Sequence, residues 1–458
     1  MRTIVLVINR ARLDAMGLYG SETAMTPHLD RLASESVVFD QHYAELPHIR
    51  GARRAWNMGC CTNPGGLRAP MGLAERLWED HVRTVLIGGE RCPTRGTAFA
   101  QGWETTHWLR KEQLAAMNQP TLVDGTLQLA IDWLELHGAA QEKWCLWLEV
   151  DSLIPPWDPS EFSHWEPTKE SPQSSTDATA RVDENETDRE DTSEQASEKP
   201  QPTSNNFDDA DQIDDIEPSF NCHSGIIRRQ DNESIARNLQ AWLRAYNGIM
   251  TYVDDLVGQF VHLLKELELY DKTTFIITSD IGWPMGEHGI VGDAIPQLHE
   301  ELVHLPLLIH LPGSAEAGRR VHHLTQPVDL PVTLADLHRL PWATSSTHGN
   351  SLVPLLHGQL VQKRDYICSQ SRRGQFKEWM IRTHQWCFIL PFQSEETGRE
   401  RQLFIKPDDR FEVNNVVSQY PQVADHLELT LRRYFATFWC DPLASLPPLQ
   451  DDLLKIAQ

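Results

Sequence analysis

Short apolar runs bounded by turn-forming residues recur along the chain, at residues 4–8, 84–87, 144–150, 274–278 and 305–310. They lack the alternation of a half-exposed strand and have the composition of strands covered on both faces, as in a parallel sheet. Between them apolar residues recur at helical spacing, over 28–36, 122–137 and 235–269; in the last, Leu239, Leu243, Tyr246, Ile249, Tyr252, Val253 and Leu256 mark one face. Strands alternating with helices predict an α/β domain over residues 1–360, with a mostly parallel central sheet flanked by helices. Beyond Gly358 the pattern changes to short alternating pieces, 379–382 and 386–390, and then a helical stretch over 422–438. That change predicts a small carboxyl-terminal α+β subdomain over 361–458. There is no internal repeat, and Gly51-Ala-Arg-Arg and Gly88-Gly89 are too short to form a nucleotide-binding fingerprint.

Composition narrows the function classes. With 458 residues, 40% hydrophobic and 23% charged, the chain is long enough for a full-sized core and is neither collagen-like nor wholly disordered. Its formal net charge of −24 repels nucleic acid and anionic membrane, so neither is an expected partner. The charge is unevenly placed. Residues 158–217 hold 19 acidic and 4 basic residues, a net of −15 that leaves −9 for the rest. This stretch is rich in Ser, Thr, Gln, Asn and Pro and poor in apolar residues, so a disordered acidic insertion is expected, solvated or serving a protein partner. The apolar run after Met1-Arg2-Thr3 is too short for a signal peptide, and no run reaches the length of a membrane helix. Eight cysteines without CxxC spacing fit reduced thiols and a cytoplasmic protein.

Functional groups on an open parallel sheet gather at the carboxyl ends of its strands. After 4–8 come Asn9, Arg10, Arg12, Asp14, Gly17, Tyr19 and Gly20, then Thr26-Pro27-His-Leu-Asp30. After 274–278 come Ser279-Asp280-Ile281-Gly282 and Gly286-Glu287-His288-Gly289. Further on stand Glu300-Glu301 with Leu305-Pro306-Leu, Gly349-Asn-Ser351-Leu, and Leu403-Phe-Ile-Lys-Pro407 ahead of Asn414-Asn415; Tyr252-Val-Asp-Asp255 leads into Gly258. In order and spacing these resemble the sulfatase family of the alkaline-phosphatase-like superfamily, over nearly the whole chain except the acidic insertion. The resemblance implies the corresponding α/β fold and sulfuric ester hydrolysis. It also implies a divalent cation, usually calcium, held by carboxylates beside a formylglycine made from Cys or Ser.

This chain departs from that pattern where the chemistry would sit. The family's first Asp pair falls on Asn9 and Arg10. Asp280 remains from the second metal pair, and its usual His or Asn neighbour is Ile281. The nucleophile of Cys-x-Pro-x-Arg falls on Ile49, leaving the motif's arginine at Arg53. Gly89, Ile154 and the neighbourhood of Asp293 stand where the family has Lys, His and Lys. The vestigial pocket is thus Asn9, Arg10, Arg53, Asp280, Ile281 and His288, with Asp280 and Asn9 as remnants of a metal site. Arg10 is expected to take the cation's place beside Asp280, and His288 to be structural. Cys60-Cys61, one turn beyond the nucleophile segment, supplies only a weak replacement thiol. The leading expectation is a sulfatase-like pseudoenzyme without a cofactor, acting in binding or scaffolding. Its alternatives are an active sulfuric or phosphoric ester hydrolase with an unconventional site, using calcium if the metal site is retained, and an anion-binding module for sulfate or a sulfated ligand.

Overall fold

A computed structural model of the chain describes residues 1–60, 71–155, 157, 225–226, 232–292, 297–342, 347–359, 361, 364–373, 376–392, 400–439, 441, 444 and 446–449, with the backbone alone for 225–238 and 373. The acidic stretch 158–217, Cys61 and Asp293 lie outside the described residues. The described residues form one compact unit.

The central sheet has eight strands: β1 (Arg2–Ile8), β2 (Val37–Phe39), β3 (Arg83–Gly89), β4 (Thr105–Leu109), β5 (Trp144–Val150), β6 (Thr274–Thr278), β7 (Leu307–His310) and β8 (Arg320–Val321). Their order is β8-β2-β7-β6-β1-β5-β3-β4, and β7 alone runs against the others. The apolar runs become the inner strands, as expected: β1 lies between β5 and β6, with Ile4 opposite Leu146 and Phe275. Side chains alternate across the pleat. Ile4, Leu6 and Ile8 enter one core layer, together with residues of α1 (Pro27–Ser34), α4 (Leu122–His137) and the long α5 (Asn232–Glu266). Val5 and Val7 enter the other, where α2 (Ile49–Met58), α3 (Leu73–Glu79) and α6 (Asp329–Leu337) pack. β2 and β8 escape a search for apolar runs because they are short, and β4 because it is polar at the sheet's edge.

The carboxyl-terminal residues form a four-stranded antiparallel sheet, β9 (Tyr366–Arg373), β10 (Phe376–Thr383), β11 (Trp386–Pro391) and β12 (Gln402–Ile405). One face carries α7 (Pro421–Ala436) through Leu427, Leu431 and Tyr434. The other shares a core with segments that follow strands of the larger sheet, where Met380, Ile389 and Phe404 pack with Tyr43, Ile281 and Leu302. The mixed, mostly parallel sheet with flanking helices and an antiparallel appendage is the architecture expected from the sequence. No helix among the described residues is long and apolar enough to cross a membrane.

Candidate functional site

The carboxyl ends of β1, β5 and β6 converge on one buried guanidinium. Arg53 reaches it from α2, a ten-residue helix capped at its start by His48, whose Nδ1 accepts the Gly51 N–H at 3.0 Å, and closed by Gly59 at φ 63°. Gly51, Ala52, Ala55 and Trp56 turn inward with Arg53, whose guanidinium lies 5.1 Å from the Trp56 ring centroid. Arg53 Nη1 donates to Asp280 Oδ2 at 2.6 Å, Nη2 to both Asn9 Oδ1 and Glu149 Oε2 at 2.6 Å, and Nε to Thr94 Oγ1 at 2.8 Å. All five residues are at most 2% exposed.

The oxygens around that cation are also held from behind. Asp280 Oδ1 accepts the backbone N–H of Arg10 at 2.9 Å and of Ile281 at 2.8 Å. Arg10 makes this contact from a left-handed conformation, φ 65°, unusual for a residue with a side chain. Tyr246 on α5 braces that conformation, donating to the Arg10 carbonyl and accepting from the Arg12 N–H, both at 2.8 Å. Glu149 accepts from Asn9 Nδ2 at 3.2 Å, Trp147 Nε1 at 3.1 Å, Cys92 Sγ at 3.3 Å and the Thr94 hydroxyl. Burial works against charge on Asp280, but Arg53, with Arg10 behind it, holds its carboxyl below the ordinary value. Burial, reinforced by the Glu149 charge, pushes the Cys92 thiol far up.

Residues 2–339 match the family model described as Sulfatase. The chain belongs to the sulfatase family. Residues 286–436 also match the model described as N-sulphoglucosamine sulphohydrolase, C-terminal. An arylsulfatase of Clostridium perfringens is 23% identical over 468 residues, covering 93% of each chain. Arylsulfatase K of Canis lupus familiaris is 27% identical over 225 residues, which cover 46% of this chain and 39% of that protein. Among solved structures, one in complex with its substrate D-glucosamine-2-N,6-O-disulfate aligns with TM-score 0.68 and 16% identity, covering 95% of this chain and 97% of that one. A phosphonate monoester hydrolase of Agrobacterium radiobacter aligns with TM-score 0.67 and 19% identity, covering 95% and 96%. At these identities the structures establish the shared fold.

In this sulfatase-family chain the expected site residues do not all come together. Asn9, Arg53 and Asp280 come together in the cage, and the Arg10 backbone joins them. The direct ion pair to Asp280 comes from Arg53, a correction to the expectation for Arg10, whose guanidinium lies 4.6 Å from the Trp283 ring centroid. Ile281 contributes its N–H, while its side chain is committed to the core shared with the carboxyl-terminal sheet. His288 stands in a different network, on Glu301 Oε1 at 2.7 Å and the Glu412 carbonyl at 3.2 Å, its ring stacked 3.6 Å from that of His299. Ile49 occupies the first turn of α2, half-buried, with no nucleophilic atom. Cys60 is buried, its thiol pushed up to about 11 by that burial.

Glu149, Thr94 and Cys92 were missed by sequence reasoning. One signal existed for Glu149: it is the lone charged residue in the run Trp144–Val150, and a carboxylate in a strand covered on both faces requires a buried partner. The divalent cation that sulfatase membership implies would fall to Asn9, Glu149 and Asp280. A calcium ion takes six to eight oxygen ligands, whereas here every carboxylate oxygen, and the Asn9 oxygen, already accepts a hydrogen bond. The donor set as it stands does not fit that ion. Among the described residues, the group with metal-binding proximity is elsewhere, at His28, Asp254 and Asp255. There Asp254 already caps the start of α1, accepting the N–H groups of His28 at 3.0 Å and Leu29 at 2.7 Å.

Proposed function

We propose that this sulfatase-family protein is a non-hydrolytic binding or scaffolding protein, its site organised around an internal arginine instead of a divalent cation. The observation that carries this reading is the Arg53 guanidinium, hydrogen-bonded at once to Asp280, Glu149, Asn9 and Thr94. Two carboxylates in a dry pocket need a positive charge between them, and the chain supplies one covalently. Ile49, where the family pattern has its nucleophile, supports the same reading, since covalent hydrolysis needs an atom able to attack. Buried cysteines at 92, 145, 368 and 387, free of disulfides among the described residues, support a reducing, cytoplasmic location.

The test pairs activity with metal content. Purified protein is incubated with aryl sulfate and aryl phosphate esters, with and without calcium, and its metal is measured by elemental analysis. The expected result is no turnover and no stoichiometric calcium. Turnover that disappears in Asp280→Ala or Glu149→Gln would overturn the proposal in favour of an active ester hydrolase with an unconventional site.

A further inference from the structure

On the outward face of α2 the same helix builds a second feature, a half-open cavity of about 540 Å³ bordered by residues of the segment Pro93–Phe99. Arg50, Arg53, Arg54 and Arg95 line it, and among the described residues no lining residue is acidic. Arg53 is engaged in the cage. Arg50 and Arg54 make no hydrogen bond or ion pair among the described residues, and Arg95 has only the Glu90 carbonyl at 3.4 Å. Elsewhere in this chain of net charge −24 arginines that line acidic surroundings find carboxylates: Arg12 has Asp14 and Glu287, Arg364 has Asp329, and Arg401 has Asp425.

The placement also works against the helix. Arg50 lies in the first turn, where the positive end of the helix dipole disfavours a cation, and no acidic residue there offsets it. Arg50 and Arg54 are four residues apart, so their like charges repel along one face. A helix that tolerates these local costs is arranged to receive negative charge from outside.

We propose that this cavity binds a small organic diphosphate. Three guanidinium groups outside the cage balance about three negative charges, which a terminal diphosphate carries near neutral pH and a sulfate monoester does not. A volume of about 540 Å³ is within the range of small-molecule sites. Thr97 and Asn57 add uncharged hydrogen-bonding groups, and Ile49, Met58 and Phe99 an apolar wall for the organic part. The lining omits Asn9, Glu149 and Asp280, so the ligand meets the arginines of α2 without entering the cage. This inference rests on the binding role proposed above and names its ligand class.

Isothermal titration of the full chain with inorganic diphosphate, phosphate and sulfate tests it. Diphosphate is expected to bind at least about tenfold more tightly than sulfate, and its affinity to fall steeply with added salt. Arg50→Gln/Arg54→Gln is expected to lower diphosphate affinity by about thirtyfold or more, while Arg320→Gln, which breaks a distant pair with Asp40, leaves it unchanged. Because the two arginines make no hydrogen bond or ion pair among the described residues, the double variant is expected to melt no lower than the wild type; should it melt lower, Arg95→Gln is the second variant, with a loss of affinity expected there too. No diphosphate binding at about millimolar concentration, equal binding by sulfate, or unchanged binding in the arginine variants overturns the inference. Phosphate release is followed in the same samples: release overturns the non-hydrolytic reading and leaves the binding site standing, whereas silence in both titration and release removes the diphosphate site alone.

Discussion

Replacing Arg53 by alanine isolates what the internal cation contributes. The substitution leaves Asp280 and Glu149 buried, both 0% exposed, without the guanidinium whose nitrogens stand 2.6 Å from each carboxylate. With charge centres about 4 Å apart and an effective dielectric near 20, each attraction is worth roughly 4 kcal/mol. Repulsion between the carboxylates and the cost of burying Arg53 offset part of this, and removing one member of a buried pair typically costs about 3–5 kcal/mol. The expected loss for Arg53→Ala at pH 7 is therefore about 3–5 kcal/mol, measured by urea unfolding. The pH dependence has a definite sign. In the wild type the Asp280 pKa is depressed, so its stabilisation is present above the unfolded value near 3.9 and is lost as pH falls through the folded pKa. In the variant the uncompensated carboxylates take up protons more readily, so the deficit is largest near neutrality and shrinks as pH falls. Removing the side chain also frees oxygens for a hard cation: calcium should stabilise Arg53→Ala by about 2–3 kcal/mol when present at about a hundredfold excess over its Kd, and leave the wild type unmoved. A neutral-pH loss below about 1 kcal/mol, the scale of an exposed pair, or equal calcium stabilisation of both proteins would refute the idea that Arg53 replaces a metal.

Three further outcomes are expected. Glu45 is buried and its carboxyl is pushed up to about 8 by that burial, so the fold retains a proton that the unfolded chain sheds; wild-type stability should fall between about pH 4.5 and 8, by up to roughly 1.4 kcal/mol per pH unit from this group. Glu45→Gln should remove that component from a series of thermal melts against pH. Burial opposes charge on His288, but Glu301 outweighs it and its pKa is raised; the resulting stabilisation is full below the unfolded value near 6.5 and is lost as pH rises through the folded pKa. Glu301→Gln should thus cost about 1–3 kcal/mol at pH 6 and progressively less in alkaline solution, by urea unfolding. A Cβ on Gly282 would lie 2.0 Å from the Glu301 carbonyl oxygen, so Gly282→Ala should cost about 1–3 kcal/mol or more and loosen the Asp280 loop, seen as faster amide exchange at Ile281.

The sheet was legible because a strand covered on both faces leaves a continuous apolar run, and the rule that sites gather at strand ends then led to Asn9, Arg10 and Asp280. Edge strands such as β4, with Thr106 and His107 exposed, leave no such run. The site was legible only in part, for different physical reasons at each residue. Which arginine pairs with Asp280 depends on side-chain direction: Arg10 lies beside Asp280 through its backbone, yet its guanidinium is carried to Trp283, while Arg53 arrives from a helix more than two hundred residues earlier than its partner. His288 could not be placed from its motif because its partners include Glu412, from beyond β12.

Glu149 shows the deeper reason. The family pattern directs attention to carboxylates that are missing, whereas charge balance asks which carboxylates remain. Glu149 and Asp280 contribute two negative charges to the dry end of the sheet, and Arg53 and Arg10, both at most 4% exposed, contribute two positive ones. Two guanidinium groups thus act on these two carboxylates without any ion from solution. That balance decides what a restored aspartate at position 10 would do. Restoring an aspartate at Arg10 alone would add one negative charge and remove one positive, leaving the pocket two charges short while Arg53 still fills it. A return to metal binding on this scaffold thus requires the cage's own cation to leave as well, and Arg10→Asp should be unstable at neutral pH in the presence of calcium unless Arg53 is also redirected. Urea unfolding of the single variant with and without calcium checks this directly, and calcium rescue of Arg10→Asp with Arg53 intact would contradict it.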